Sequence, residues 1–173
     1  MANTFELIAS STVGSGGASS IDFSSIPSTY TDLCLKLSGR AASVNAFYNF
    51  LITFNNSGGT AYTTKLLYGN GSSAAYASQT GVASVTYGFL PGAGATANSF
   101  GNAEIYIPNY AGSNNKSLSI DQVEETNTSL AYAGFIASLW ADTSAINRIT
   151  ITTDAGGNLV QYSTAYLYGV KNA

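Results

Sequence analysis

Few side chains here can carry covalent or acid–base chemistry, and their types narrow the choices. No histidine occurs among the 173 residues, which removes the commonest general base and the commonest transition-metal ligand. Cys34 is the lone thiol, so no disulfide can form within the chain. With Leu33 and Leu35 beside it and no histidine to activate it, a packed or interface thiol is the expected role. Glycoside hydrolysis needs two facing carboxyl groups, and the candidates are Asp121, Glu124, Glu125, Asp142 and Asp154. Glu124 and Glu125 are adjacent, so a strand sends them to opposite faces; both are expected to end a strand in solvent. No catalytic pair emerges, and the chain is expected not to be an enzyme.

Binding chemistry is equally sparse. Asp154-Ala-Gly-Gly-Asn158 lacks the alternating acidic ligands and closing glutamate of a calcium loop, so a metal-free hairpin turn is expected there. The glycine-rich stretches at 14–17 and 92–94 precede no helix and make no phosphate cradle. Six basic against nine acidic residues, with no basic run, argue against a nucleic-acid partner. No apolar stretch is long enough to span a membrane as a helix. No cofactor or metal is expected.

Aromatic residues are the remaining signal. Tyr48, Tyr62, Tyr68, Tyr76, Tyr87, Tyr106, Tyr110, Tyr132 and Trp140 suit a sugar-binding face or a protein interface. They suit a sheet core equally well, and most are assigned to core or cross-strand pairs.

The elements that must position these residues read as short alternating segments between Gly, Ser, Asn and Pro clusters, the pattern of antiparallel strands. Phe5, Leu7 and Ala9 line one side of a first strand. Leu33, Leu35 and Leu37 share a face opposite Cys34, Lys36 and Ser38. Tyr48, Phe50, Ile52 and Phe54 share the next, ended by Asn55-Asn56-Ser57-Gly58-Gly59, a hairpin signal. A return strand is expected over 62–68. Residues 72–98 are poor in charge and rich in Ala, Ser, Thr and Gly; only 82–90 among them reads as a strand, so long loops are expected. Long loops are often functional, and Tyr76 and Tyr87 are singled out as a possible partner- or glycan-contact loop. Further strands are expected over 100–107, 116–123, 130–140, 146–152 and 160–170, with a hairpin loop at 154–158 and one short helical turn near 141–146. The expected fold is all-β: one antiparallel jelly-roll sandwich over 1–173, with about 8–10 strands and long loops.

Composition suits a contact surface and, equally, the ordinary makeup of β-rich secreted and virion proteins. Only 9% of residues are charged, against roughly 25% in ordinary soluble domains. Ser, Thr, Asn and Gly replace the charge, and short side chains lose less rotamer entropy on being ordered than Lys or Glu.

Four stretches together resemble small jelly-roll virion proteins of marine and freshwater tailed phages. They are Thr4-Phe-Glu-Leu-Ile-Ala-Ser with Val13-Gly-Ser-Gly-Gly-Ala; Phe23-Ser-Ser-Ile-Pro-Ser-Thr-Tyr-Thr-Asp-Leu33; Phe100-Gly-Asn-Ala-Glu-Ile-Tyr-Ile-Pro-Asn-Tyr110; and Ala165-Tyr-Leu-Tyr-Gly-Val-Lys-Asn172. The resemblance implies a virion structural protein, of the capsid decoration, cement or tail-fibre kind, with no catalytic residues to carry over. The leading expectation is a capsid cement protein on the outer surface of the virion, a homotrimer bound to the major capsid protein. The alternative is a tail-fibre or receptor-binding module that grips host-surface glycan. The N-terminus, Met-Ala-Asn-Thr-Phe-Glu-Leu-Ile, lacks the pattern of a secretory signal, as expected of a chain assembled in the host cytoplasm.

Overall fold

The computed structural model describes residues 4–127 and 131–171. The expected strand start at Leu130 and the final Asn172 of the C-terminal stretch lie outside the described residues. Twelve strands follow one another: β1 (Phe5–Thr12), β2 (Ser20–Phe23), β3 (Asp32–Gly39), β4 (Phe47–Phe54), β5 (Tyr62–Gly69), β6 (Ala74–Val82), β7 (Val85–Pro91), β8 (Gly101–Pro108), β9 (Lys116–Glu124), β10 (Tyr132–Trp140), β11 (Ile149–Thr153) and β12 (Thr164–Val170). The fold is all-β, with two antiparallel sheets. One has eight strands in the order β1-β12-β3-β8-β9-β10-β5-β6; the other has four, β2-β11-β4-β7.

This order contains a simpler one. In β1-β12-β3-β8 the last strand sits between the first and third, and in β2-β11-β4-β7 the next-to-last sits between the second and fourth. That frame of eight strands is compatible with a jelly roll, which is built from two Greek keys. The remaining four strands are two hairpins, β5–β6 and β9–β10, laid beside β8 as an extension of the larger sheet.

Period-two alternation builds the core. Leu33, Leu35 and Leu37 of β3 lie in register with Leu167 and Ala165 of β12 and with Ile105 and Ile107 of β8. They form one buried cluster with Ile21, Phe23, Phe50, Ile52, Phe54, Ile149 and Ile151 of the smaller sheet. Each such side chain contributes about 1.5–3 kcal/mol by leaving water. Phe54, Tyr62 and Trp140 join the extension to the frame, with ring centroids 5.5–6.3 Å apart. The Tyr62 hydroxyl also accepts the Phe54 N–H at 2.8 Å.

Several expectations need correction. Strands number twelve among the described residues, and residues 72–98 are not long loops, because β6 and β7 occupy most of them. Residues 141–146 hold no helical turn; among the described residues the one short helix, a 3-10 turn, is Asp154–Gly156. Asn55 and Asn56 do take positive φ, 52° and 56°, and the Ser57 N–H closes the turn on the Phe54 carbonyl at 2.8 Å. Yet the chain that returns does not pair with β4; it crosses to the larger sheet as β5. The stretch 154–158 likewise joins β11 to β12 across the two sheets and is not a hairpin loop. Ala9 leaves the side shared by Phe5 and Leu7, because β1 carries a bulge between Leu7 and Ala9 and an extra residue reverses the facing of the side chains beyond it.

Candidate functional site

The structure separates the two tyrosines expected to share a loop. Tyr76 lies on β6, an edge strand of the larger sheet, and is 85% exposed on the outer face. Tyr87 lies on β7, an edge strand of the smaller sheet, and faces a hollow on the inner side of β5 and β6. They belong to two different surfaces.

Cross-strand register makes the outer surface a row. Tyr76 is opposite Leu67, Leu67 opposite Phe135, and Phe135 opposite Asp121. Leu67 is 62% exposed and Phe135 54%. The row continues through Glu104, Lys36 and Tyr166 to Ser10. Lys36 and Glu104 pair at 3.0 Å in the middle of the sheet. A shallow depression of about 410 Å³ lies over the apolar end, lined by Leu67, Gly69, Ala74, Ala133 and Phe135 with Asp121 as its one carboxylate. Directly opposite side chains in a sheet stand about 5 Å apart, so Leu67, Tyr76 and Phe135 form a contiguous apolar patch.

The inner surface is a hollow of about 230 Å³ where β4 and β7 meet β5, β6 and β10. It is lined by Phe47, Asn49, Leu66, Tyr68, Ala77, Tyr87, Phe89 and Tyr132. Phe47, Tyr132 and Phe89 pack with centroids 5.0–5.5 Å apart, and Tyr68 joins at 5.9–6.0 Å. A β-bulge shapes it. The β4–β7 register slips between Phe50 and Ile52, and Tyr87 takes φ 69°, a costly conformation for a bulky residue. Gln122 holds the bulge from β9, donating to the Tyr87 carbonyl at 2.9 Å and accepting the Phe89 N–H at 2.8 Å. Gly134 makes room for Phe89, since a Cβ there would stand 2.7 Å from its ring.

The other candidates are dispersed. Glu125 ends its strand in solvent as expected, but Glu124 does not: it is 1% exposed. Neither Glu124 carboxylate oxygen has a hydrogen-bond partner, and burial pushes its pKa up to about 7, with Arg40 opposing. Arg40 itself donates to the carbonyls of Ala95, Thr96 and Ser99. Asp142 accepts the Ser144 N–H at 2.7 Å; that bond, in the main, holds its carboxyl below the usual range. Asp154 accepts from the Asn49 side chain at 2.7 Å. Asp121 stands on the open outer face, and Glu124 and Glu125 both line a depression of about 360 Å³ with Gly69, Gly71 and Tyr132. Cys34 is buried between its cross-strand neighbours Tyr168 and Tyr106, and burial raises its thiol to about 11. Among the described residues no group of three or more His, Cys, Asp and Glu could hold a metal.

Leu67 and Phe135 were missed by sequence reasoning, though the signal was present. Leu66-Leu67 and Phe135-Ile136 are consecutive apolar pairs. A strand must send one of each pair away from the core.

Fold and surfaces together define an all-β antiparallel sandwich with an apolar outer patch and an aromatic inner hollow. No known protein-family model matches the chain, and no curated protein matches its sequence.

Proposed function

We propose that this chain is a structural accessory protein of a tailed-phage virion: a cement or decoration protein that sits as a trimer on the outer shell and binds the major capsid protein. It works by shape, with the sheets as a rigid mount, and carries out no turnover. The observation that carries this reading is the in-register row Phe135–Leu67–Tyr76, three large apolar side chains held in water on the outer face of the larger sheet. Isolated exposed apolar residues are ordinary, whereas contiguous ones mark contact surfaces. The low charge of the chain and its resemblance to small virion proteins supply the setting. Many modest contacts engaged at once would reinforce a shell strongly.

Quantifying the protein in purified virions tests this. A copy number comparable to that of the capsid protein, and slower rupture in warm or low-salt buffer when the protein is present, are expected. Only a few copies per particle, or equal rupture rates with and without it, would reject a shell role.

One observation favours a second reading, a tail-fibre module that holds host-surface glycan: the hollow collects Tyr68, Tyr87 and Tyr132 around a strained bulge. Binding of host lipopolysaccharide fragments that weakens in Tyr87→Ala would support it. Equal binding by the two proteins, or none by either, would remove it.

A further inference from the structure

Large apolar side chains exposed on the outer face of the eight-stranded sheet collect at its two margins. At one margin, β1 and β12 present Phe5, Leu7 and Tyr166; at the other, β10, β5 and β6 present Phe135, Leu67 and Tyr76. The strands between them carry the Lys36–Glu104 ion pair and Asp121, with Val123 of β9, 38% exposed, as the one large apolar side chain exposed among them. Phe5 and Leu7 are on one face, and Phe5 meets the ring of Tyr168 edge-on at 6.4 Å. Neither margin is folded over by any described part of the same chain, because all six side chains keep more than a third of their surface in water.

We infer that the two margins are the two halves of one contact between copies of this chain: the β1–β12 margin of one copy seats on the β10–β5–β6 margin of the next. Four observations choose this occupant and this arrangement. First, each margin is close to charge-neutral. Glu6 is paired with Lys171 at 2.8 Å beside the first, and Lys65 and Asp121 flank the second with opposite signs, so like charges are not forced together. Second, β6 is open along most of its edge, its one bulge lying at its far end, at Gly81. Over its nine residues, Ala-Ala-Tyr-Ala-Ser-Gln-Thr-Gly-Val, it carries no charge and no proline, and such an edge is a template for another chain.

Third, the other edges are protected. β1 has a bulge and Glu6. β2 is four residues long with Asp22 tied to Arg148 at 2.7 Å. β7 is broken by the Tyr87 bulge and ends at Pro91. Fourth, a self-to-self contact of either margin would leave the other in water, whereas a head-to-tail contact covers both with one kind of interface. A heterologous contact of this kind closes into a ring when the rotation permits. The inference rests on the trimeric seating proposed above and assigns the row to the contact between copies, so that the capsid protein meets another surface of the trimer.

Sedimentation of the purified chain tests it. Wild type is expected at the mass of three chains. Leu7→Lys and Leu67→Asp, each at an exposed position, are each expected at one-third of that mass with unchanged thermal midpoints. Mixed in equal amounts, they are expected to form a complex of two chains, because each retains the half the other has lost. Phe5→Lys serves in place of Leu7→Lys should that variant fail to fold. A monomeric wild type, Leu67→Asp alone dissociating while Leu7→Lys stays associated, or no complex on mixing would each overturn the head-to-tail contact. These outcomes are read in solution, so they stand apart from whether the protein is found on virions.

Discussion

The outer faces of the two sheets are built by the same alternation and end up unlike. On the smaller sheet, Asp22 accepts from Arg148 at 2.7 Å and from the Thr150 hydroxyl at 2.6 Å, so polar groups meet their needs within the face. On the larger sheet Lys36 and Glu104 do so in the middle, and Lys65 with Ser78 between β5 and β6. Its margins expose Phe5 and Leu7 on one side and Phe135, Leu67 and Tyr76 on the other. A face that serves only as the wall of a sandwich has no need of such side chains. The contrast is what the proposed contact role of the larger sheet requires.

The extension shows the same division across its thickness. Its inner side holds Tyr62, Leu66, Ile136 and Trp140 in the core, while its outer side holds the apolar row. Trp140→Ala is therefore expected to have the largest effect on stability, about 3–5 kcal/mol in denaturant unfolding. A loss below about 1 kcal/mol, well under the cost of truncating a packed aromatic side chain, would mean that the extension is not packed as a continuation of the frame.

Glu124 gives the next effect, on the inner side alone. Its folded-state pKa, about 7, lies above the ordinary carboxyl value of 4.5, so the folded protein holds the proton more tightly than the unfolded chain. The resulting stability is complete below about pH 4.5 and is lost as pH rises through about 7, on the order of 3 kcal/mol in all. Glu124→Gln is expected to flatten that part of the stability–pH profile and to raise the thermal midpoint at pH 8 relative to wild type. An unchanged slope would show that the carboxylate is solvated in the folded state. The smallest effects belong to the outer row. Tyr76→Ser and Phe135→Ser are each expected to change unfolding free energy by no more than about 0.5 kcal/mol while weakening association. A loss comparable to that of Trp140→Ala would make the row part of the core and erase the contrast.

How far the sequence reveals this differs by level. Alternation at Leu33–Leu37 and Phe50–Phe54 discloses strands and their inward faces, because period two is a local property. Turn chemistry at Asn55-Asn56 and at 154–158 discloses reversals, but not whether the returning strand pairs with its predecessor or crosses to the other sheet. That choice depends on long-range packing such as Phe54 against Tyr62 and Trp140. The low-charge stretch 72–98 resembles loop because β6 is an edge: it needs no buried face of large residues, and Ala75 and Ala77 suffice inside. Tyr76 and Tyr87 stand out in the sequence by residue type. Only the register places one on the outer row and the other in the hollow.

The central claim is that the exposed row on the extension acts by contact within the virion. Its most direct test is the amount of protein in purified particles, normalised to the major capsid protein, for wild type, Tyr87→Ala and the double variant Leu67→Asp/Tyr76→Asp. The account predicts near-stoichiometric wild type, an equal amount of Tyr87→Ala, and at least a ~10-fold loss for the double variant, equivalent to about 1.4 kcal/mol of contact energy. Full incorporation of a folded double variant would contradict it.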